Sequence, residues 1–130
     1  MNLGLEIFPV WDEDDSTRII KTPDCLKFDR DVALFAQLLG TDWGKNSQDS
    51  ETPRPKIETH ELNRIEVETY SERGLVRKTH DKLGALTFAY ARDLKRLEVG
   101  GARNAGGRNV AIKAYIDALP DHLMVVLYWC

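Results

Sequence analysis

The chain is poor in the residues from which metal sites and disulfide scaffolds are built. Among its 130 residues, two are cysteines (Cys25 and Cys130) and three are histidines. So few ligands argue against a multi-ligand zinc module and against a disulfide framework. Since no signal peptide is recognised, we expect a cytoplasmic protein whose two thiols stay free, and their role stays open. We expect no metal and no cofactor.

Long apolar runs are also missing. No stretch approaches the roughly 18–20 residues that span a bilayer, so we expect a soluble protein without a membrane partner. The formal net charge of −3 at pH 7 argues against nucleic acid binding over the whole surface. A hydrophobic fraction of 42% and a charged fraction of 30% are typical of one globular domain. We therefore expect a single domain over residues 1–130.

The hydrophobic pattern predicts an α+β fold. We expect a mainly antiparallel sheet of about five strands, with two principal helices over 29–39 and 109–119. The run 123–129 is apolar throughout and rich in β-branched and aromatic residues, which predicts a central C-terminal strand. A shorter helix is expected over 91–97, after a segment at 86–90 that fits either a strand or the start of that helix.

Two hairpins are predicted from alternating patterns joined by turn residues. The first joins the strand at 3–10 to a partner at 17–21 across an acidic turn. Pro9 either ends that first strand or places it near an edge, because proline has no N–H for the ladder. The second hairpin joins 64–70 to 75–79 across a turn that contains glycine.

The first principal helix has both of its end signals in the sequence. Asp29 is a suitable N-cap, and Gly40 is a suitable C-terminal stop because glycine enters the left-handed region at low cost. The apolar residues 32, 35, 36 and 39 are expected to form the buried face, widened by 34 and 38. The polar, proline-containing stretch that follows is expected to be a mobile loop over about 41–56.

A glycine-rich basic segment at 100–109 is the first candidate site. Between Arg92 and Lys113 the net charge is +4, which leaves −7 for the rest of the chain. Glycines and a helix N-terminus direct backbone N–H groups at an anion, and arginine forks bind phosphate. The alternative is a soluble, flexible connector. The anion-binding interpretation uses Arg92, Arg96, Arg103, Asn104, Gly106, Gly107, Arg108 and Asn109.

An acidic turn beside a tryptophan is the second candidate site. Aromatic anchors supply much of the energy of protein interfaces, and charges steer the approach of the partner. The alternative is a solvated turn, since the spacing is not that of a calcium loop. The partner-binding interpretation uses Trp11, Asp12, Glu13, Asp14, Asp15 and Trp43.

No catalytic residue is expected. His60, His80 and His122 stand in no nucleophile or metal-ligand motif, and the neighbours His80 and Asp81 point in different directions on a strand. A hydrolase that uses His60 or His80 is the weakest of three hypotheses. The first is a small non-enzymatic binding protein, such as an immunity-type or phage-encoded inhibitor of another protein. The second is a protein that binds or sequesters a phosphorylated small molecule, such as a nucleotide signal.

Overall fold

Strands are the main regular structure in the computed structural model, which describes residues 4–11, 19–22, 26–40, 57–62, 66–71, 74–78, 80–99 and 107–130. The described strands are β1 (Gly4–Pro9), β2 (Ile19–Thr22), β3 (Leu26–Asp29), β4 (His60–Glu61), β5 (Glu66–Ser71), β6 (Gly74–Lys78), β7 (His80–Asp81), β8 (Gly84–Ala85), β9 (Thr87–Tyr90) and β10 (Met124–Trp129). The described helices are α1 (Val32–Leu39), α2 (Ala91–Leu94) and α3 (Arg108–Asp117).

The C-terminal strand β10 lies at the centre of the largest sheet. This antiparallel sheet has five strands in the order β3-β1-β10-β9-β4. The register places Leu127 opposite Ile7 of β1, and Val126 opposite Phe88 of β9. A central strand is covered on both faces, and this is why β10 is apolar along its whole length. The predicted α+β fold with about five strands, two principal helices and a central last strand is confirmed.

The two faces of this sheet bury two separate groups of side chains. The larger core lies on the helix side, where Leu5 and Ile7 of β1 pack with Val125 and Leu127 of β10 and with buried residues of all three helices. The smaller core, on the other face, comprises Phe8, Val10, Leu62, Leu86 and Val126. Successive side chains of a strand point to opposite faces, so β1 contributes to both cores.

The first predicted hairpin is wrong. Its first strand is present as β1 and ends at Pro9, but β1 pairs with β10 and β3. The predicted partner is present as β2, and it pairs in parallel with β5 in a second sheet of order β2-β5-β6. A short polar loop favours a hairpin only when the two strands lack better partners. Here the apolar β10 is the better partner for β1, and it is more than a hundred residues away.

The second predicted hairpin is confirmed. Strands β5 and β6 pair antiparallel, and Ser71 lies opposite Gly74 at the turn. The register places Arg77 opposite Glu68, so residues of opposite charge are cross-strand neighbours in this hairpin.

Helix α1 begins two residues later than its sequence signals predict. Its N-cap is Asp31, whose carboxylate accepts a hydrogen bond from the N–H of Leu34, and the predicted N-cap Asp29 instead ends β3. Gly40 ends the helix in the left-handed conformation, as predicted. The buried face consists of Leu34, Phe35 and Leu38, whereas Val32 is 40% exposed.

The remaining predictions on local structure are largely confirmed. The segment before α2 is a strand, β9, and α2 is a single turn, shorter than the predicted 91–97. The second principal helix is α3, which ends at Asp117, three residues before Pro120. The predicted mobile loop over about 41–56 lies outside the described residues.

Candidate functional site

A groove of about 270 Å³ runs between β3, an edge strand of the five-stranded sheet, and α3. Its helical wall consists of one face of α3, because residues spaced by three and four share a face of a helix. Most of the lining is apolar, with one arginine at the end where α3 begins. We call this feature the β3–α3 groove; its lining residues are Leu26, Lys27, Arg108, Ala111, Ile112 and Tyr115.

Asn109 fixes α3 against the edge of the sheet. Its side chain is fully buried. Its Oδ1 accepts a hydrogen bond from the N–H of Asp29 at 3.2 Å, and its Nδ2 donates to the carbonyl of Asp29 at 2.9 Å. The amide thus occupies the place of a further strand beside the last residue of β3. Asn109 is one of the predicted anion ligands, and its side chain instead has a structural role, since it holds α3 to β3.

Arg108 lies at the end of the groove where the positive pole of the α3 dipole is located. Gly107, which has no side chain, stands at the N-cap, so the first N–H groups of α3 have no capping side chain from that position. Arg108 is exposed, and it shares the groove-lining face of α3 with Ile112 and Tyr115. A guanidinium and a helix N-terminus both favour a negative charge. This end of the groove is therefore suited to an anionic group.

Lys27 contributes to the groove mainly through its backbone. Leu26 packs against the larger core, so the next side chain along β3 points to the opposite face of the sheet. The Lys27 side chain indeed crosses Gly4 on the neighbouring strand so closely that a Cβ there would displace it. The lysine ammonium group is therefore directed away from α3, and Arg108 is the other cationic residue on the groove lining among the described residues.

Arg92, another of the predicted arginines, does not lie beside Arg108. The backbone N–H of Arg92 donates to the carbonyl of Asp121, which follows the C-terminal end of α3. A helix of ten residues is about 15 Å long, and Arg108 is its first residue. Arg92 and Arg108 are thus at opposite ends of α3. Arg96 is exposed on the turn after α2 and is close to Arg92 in the chain, while Arg103, Asn104 and Gly106 lie outside the described residues.

Near Arg92 the surface carries a small network of charges. The guanidinium of Arg92 lies 5.6 Å from the centre of the Tyr90 ring, at cation–π distance. Lys95 donates a hydrogen bond to Asp121. This bond and the charge of Lys95 lower the pKa of Asp121 below its ordinary value of 3.8, and Arg92 and His122 add a smaller effect in the same direction. These contacts are those of a solvated surface.

Trp11 is the only member of the predicted partner-binding set that is among the described residues. Its side chain is 47% exposed, at the end of the sheet where β1 stops. Asp12, Glu13, Asp14, Asp15 and Trp43 lie outside the described residues.

Two of the histidines, His60 and His80, differ in their surroundings. The His60 ring lies 5.2 Å from that of Phe88 and 6.0 Å from that of Tyr90. His80 is exposed, and the carboxylate of its neighbour Asp81 accepts hydrogen bonds from the backbone N–H groups of Leu83 and Trp129. In the described part of the chain, no three His, Cys, Asp or Glu side chains are grouped so that they could hold a metal ion.

Five groove residues are missing from the site that the sequence predicts: Leu26, Lys27, Ala111, Ile112 and Tyr115. The alternation of apolar and charged residues over 26–29 marks a strand, but the predicted helix start at Asp29 obscures it. The helical spacing from Arg108 to Ala111, Ile112 and Tyr115 is present in the sequence. It shows a face of a helix, but it does not show what lies opposite that face.

No protein-family model matches this sequence, and no curated protein and no solved structure matches it at a significant level. None of the helices in the described ranges combines the length and the apolar character required to cross a membrane.

Proposed function

We propose that the protein is a non-enzymatic binding protein whose β3–α3 groove takes a small phosphorylated molecule of the nucleotide class. The observation that carries this proposal is the position of Arg108. It lies at the beginning of α3, on the same helix face as the apolar wall of a groove of about 270 Å³. That volume is close to the lower end of the range for ligand pockets, roughly 300–1,000 Å³.

The division of the groove into two ends supports this ligand class. Arg108 and the N-terminal end of α3 suit the phosphate, whereas Leu26, Ile112 and Tyr115 suit an apolar or aromatic body. A free inorganic ion would leave the apolar wall exposed to water. An uncharged apolar compound would leave the arginine without a counter-charge.

The buried amide of Asn109 supports a site that is formed before the ligand arrives. Its two hydrogen bonds to Asp29 hold the first turn of α3 at a fixed distance from the end of β3. Little ordering of the backbone is then required on binding, and ordering is one of the main costs of association.

A thermal-shift screen against inorganic phosphate, ribose 5-phosphate and nucleoside mono- and triphosphates tests the proposal. A ligand present at one hundred times its Kd adds about 2.7 kcal/mol to the free energy of unfolding. We expect a nucleotide to raise the Tm of the wild type and of Arg96→Ala, and to have little effect on Arg108→Ala. Arg96→Ala is the matched control, since it removes an exposed arginine that does not line the groove. Equal shifts in all three proteins would contradict the assignment to the groove.

A second candidate function is binding to another protein, as an immunity-type or phage-encoded inhibitor does. The half-exposed Trp11 favours it, since a tryptophan at the surface is a common anchor of protein interfaces. The acidic residues that follow Trp11 in the sequence would steer a basic partner.

Capture from cell extract, followed by identification of the captured protein, tests this second candidate. Trp11→Ala and charge reversal of Asp12, Glu13, Asp14 and Asp15 should each weaken capture without unfolding the chain. Leu83→Ala is the control, because Leu83 is 50% exposed and follows β7, next to the opposite end of β10. Capture that is unaltered by these substitutions would count against an interface at Trp11.

A further inference from the structure

The direction of the backbone groups in β3 follows from the pairing of its neighbours. Gly4 and Cys130 exchange both of their backbone hydrogen bonds, so Gly4 and every second residue after it in β1 direct N–H and C=O toward β10. The intervening residues Leu5 and Ile7 direct theirs toward β3, where they pair with Phe28 and Leu26.

It follows that Lys27 and Asp29 direct their N–H and C=O groups to the outer edge of the sheet. At Asp29, the side chain of Asn109 confirms this direction, since its amide binds both groups. Lys27 lies two residues earlier, about 6.8 Å along the same edge, and it lines the β3–α3 groove. The groove therefore contains a backbone donor and a backbone acceptor side by side.

The contact between Asn109 and Asp29 shows which kind of chemical group the outer edge of β3 binds. A primary amide is planar and carries an acceptor next to a donor, and this pattern matches the N–H and C=O of one strand residue. The hydrogen-bonding edge of a nucleobase has the same pattern. In adenine, for example, a ring nitrogen accepts and the neighbouring 6-amino group donates.

We propose that the backbone N–H and C=O of Lys27 bind the edge of the nucleobase, with the ligand's phosphate at Arg108. This inference rests on the proposed function and names the specificity element of the same site. The base then packs against the apolar wall formed by Leu26, Ile112 and Tyr115. Arg108 and Lys27 both line the groove, and Arg108 directly precedes Asn109, which binds the edge residue two positions after Lys27.

Two substitutions of Lys27 separate its backbone from its side chain. Lys27→Ala removes the ammonium group, which lies over Gly4 away from α3, and keeps the N–H. Lys27→Pro removes the N–H as well, at an outward-facing position of an edge strand, where proline is tolerated. We expect Lys27→Pro to bind adenosine 5′-monophosphate about tenfold more weakly than Lys27→Ala. Equal affinities of the two variants would overturn the inference.

If Lys27→Pro fails to fold, amide hydrogen exchange of the wild type tests whether the nucleotide binds the Lys27 N–H. The Lys27 N–H, which faces outward, should exchange faster than the ladder N–H groups of Leu26 and Phe28 in the free protein. Saturation with adenosine 5′-monophosphate should slow it. Exchange at Lys27 that is unchanged by the saturating nucleotide would overturn the inference.

Calorimetry with three ligands separates failure of this inference from failure of the proposed function. The ligands are adenosine 5′-monophosphate, purine riboside 5′-monophosphate, which lacks the 6-amino donor, and ribose 5-phosphate, which lacks the base. We expect the second to bind about tenfold more weakly than the first, and the third more weakly again. If all three bind equally well, recognition of the base edge is wrong and anion binding at the groove stands. If none binds, both are wrong.

Discussion

Asn109 takes the place of a neighbouring strand at the edge of the sheet. Asp29 is the last residue of β3, and its N–H and C=O would otherwise face α3 without strand partners. A single buried amide binds both. The structural role of Asn109 cannot be predicted from the sequence pattern. An asparagine that follows glycines in a polar segment equally fits an exposed turn or a ligand-binding loop.

Replacement of Asn109 by alanine should destabilise the protein by about 2–3 kcal/mol, because two partly buried backbone groups then lack partners. Urea unfolding measures this change. Val110→Ala is the matched control, since Val110 is adjacent in α3 and 58% exposed, and it should change stability by less than about 0.5 kcal/mol. Equal stabilities of the two variants would show that the amide does not hold the helix to the edge.

Asp121 should make stability depend on pH in acid. Lys95 lowers its pKa in the folded protein, so the pair stabilises the fold above the ordinary pKa of 3.8 and loses this effect as the pH falls through the lowered value. In urea unfolding at pH 7, the wild type should have a larger free energy of unfolding than Asp121→Asn, and this difference should shrink as the pH is lowered below 3.8. In a Lys95→Met background, Asp121→Asn should have little effect over this range of pH. A difference that persists at low pH would contradict this assignment.

At the scale of elements, the sequence correctly predicts that an aspartate caps the N-terminus of α1, but it places this cap two residues too early. Asp29 and Asp31 are both acceptable N-caps by residue type. The choice depends on where β3 ends, and β3 ends at Asp29 because the pairing with β1 reaches that residue. A tertiary contact thus decides a local boundary. The misassigned first hairpin has the same cause, since β10 takes the place beside β1.

Removal of the two candidate caps should have unequal effects. Asp31→Ala leaves the N–H of Leu34 without its acceptor in a buried setting, so stability should fall by about 1 kcal/mol. Asp29→Ala removes only an ion pair with Arg30 at the surface, which contributes little. Thermal unfolding of both variants measures the difference. An equal or larger loss for Asp29→Ala would restore Asp29 as the cap.

At the scale of the whole molecule, the sequence predicts the fold class better than the site. Period-two and apolar patterns are local, and the hairpin of β5 with β6 and the central β10 both follow from them. The pattern of the segment that forms β9 fits a strand and a helix start equally. The groove combines β3 and α3, which are about eighty residues apart in the chain. The clustering of charge singles out Arg108, which lies on the lining of the groove. It also groups Arg92 with Arg108, and the length of α3 separates these two residues.

The most direct test of the account is a nuclear magnetic resonance titration of the isotope-labelled chain with adenosine 5′-monophosphate. We predict that the largest amide shifts fall on residues of the β3–α3 groove, above all Lys27, Arg108 and Ile112, and that Arg108→Ala abolishes them. Shifts that centre instead on α2, around Arg92 and Arg96, or a titration that Arg108→Ala leaves unchanged, would contradict the claim that the groove is the binding site.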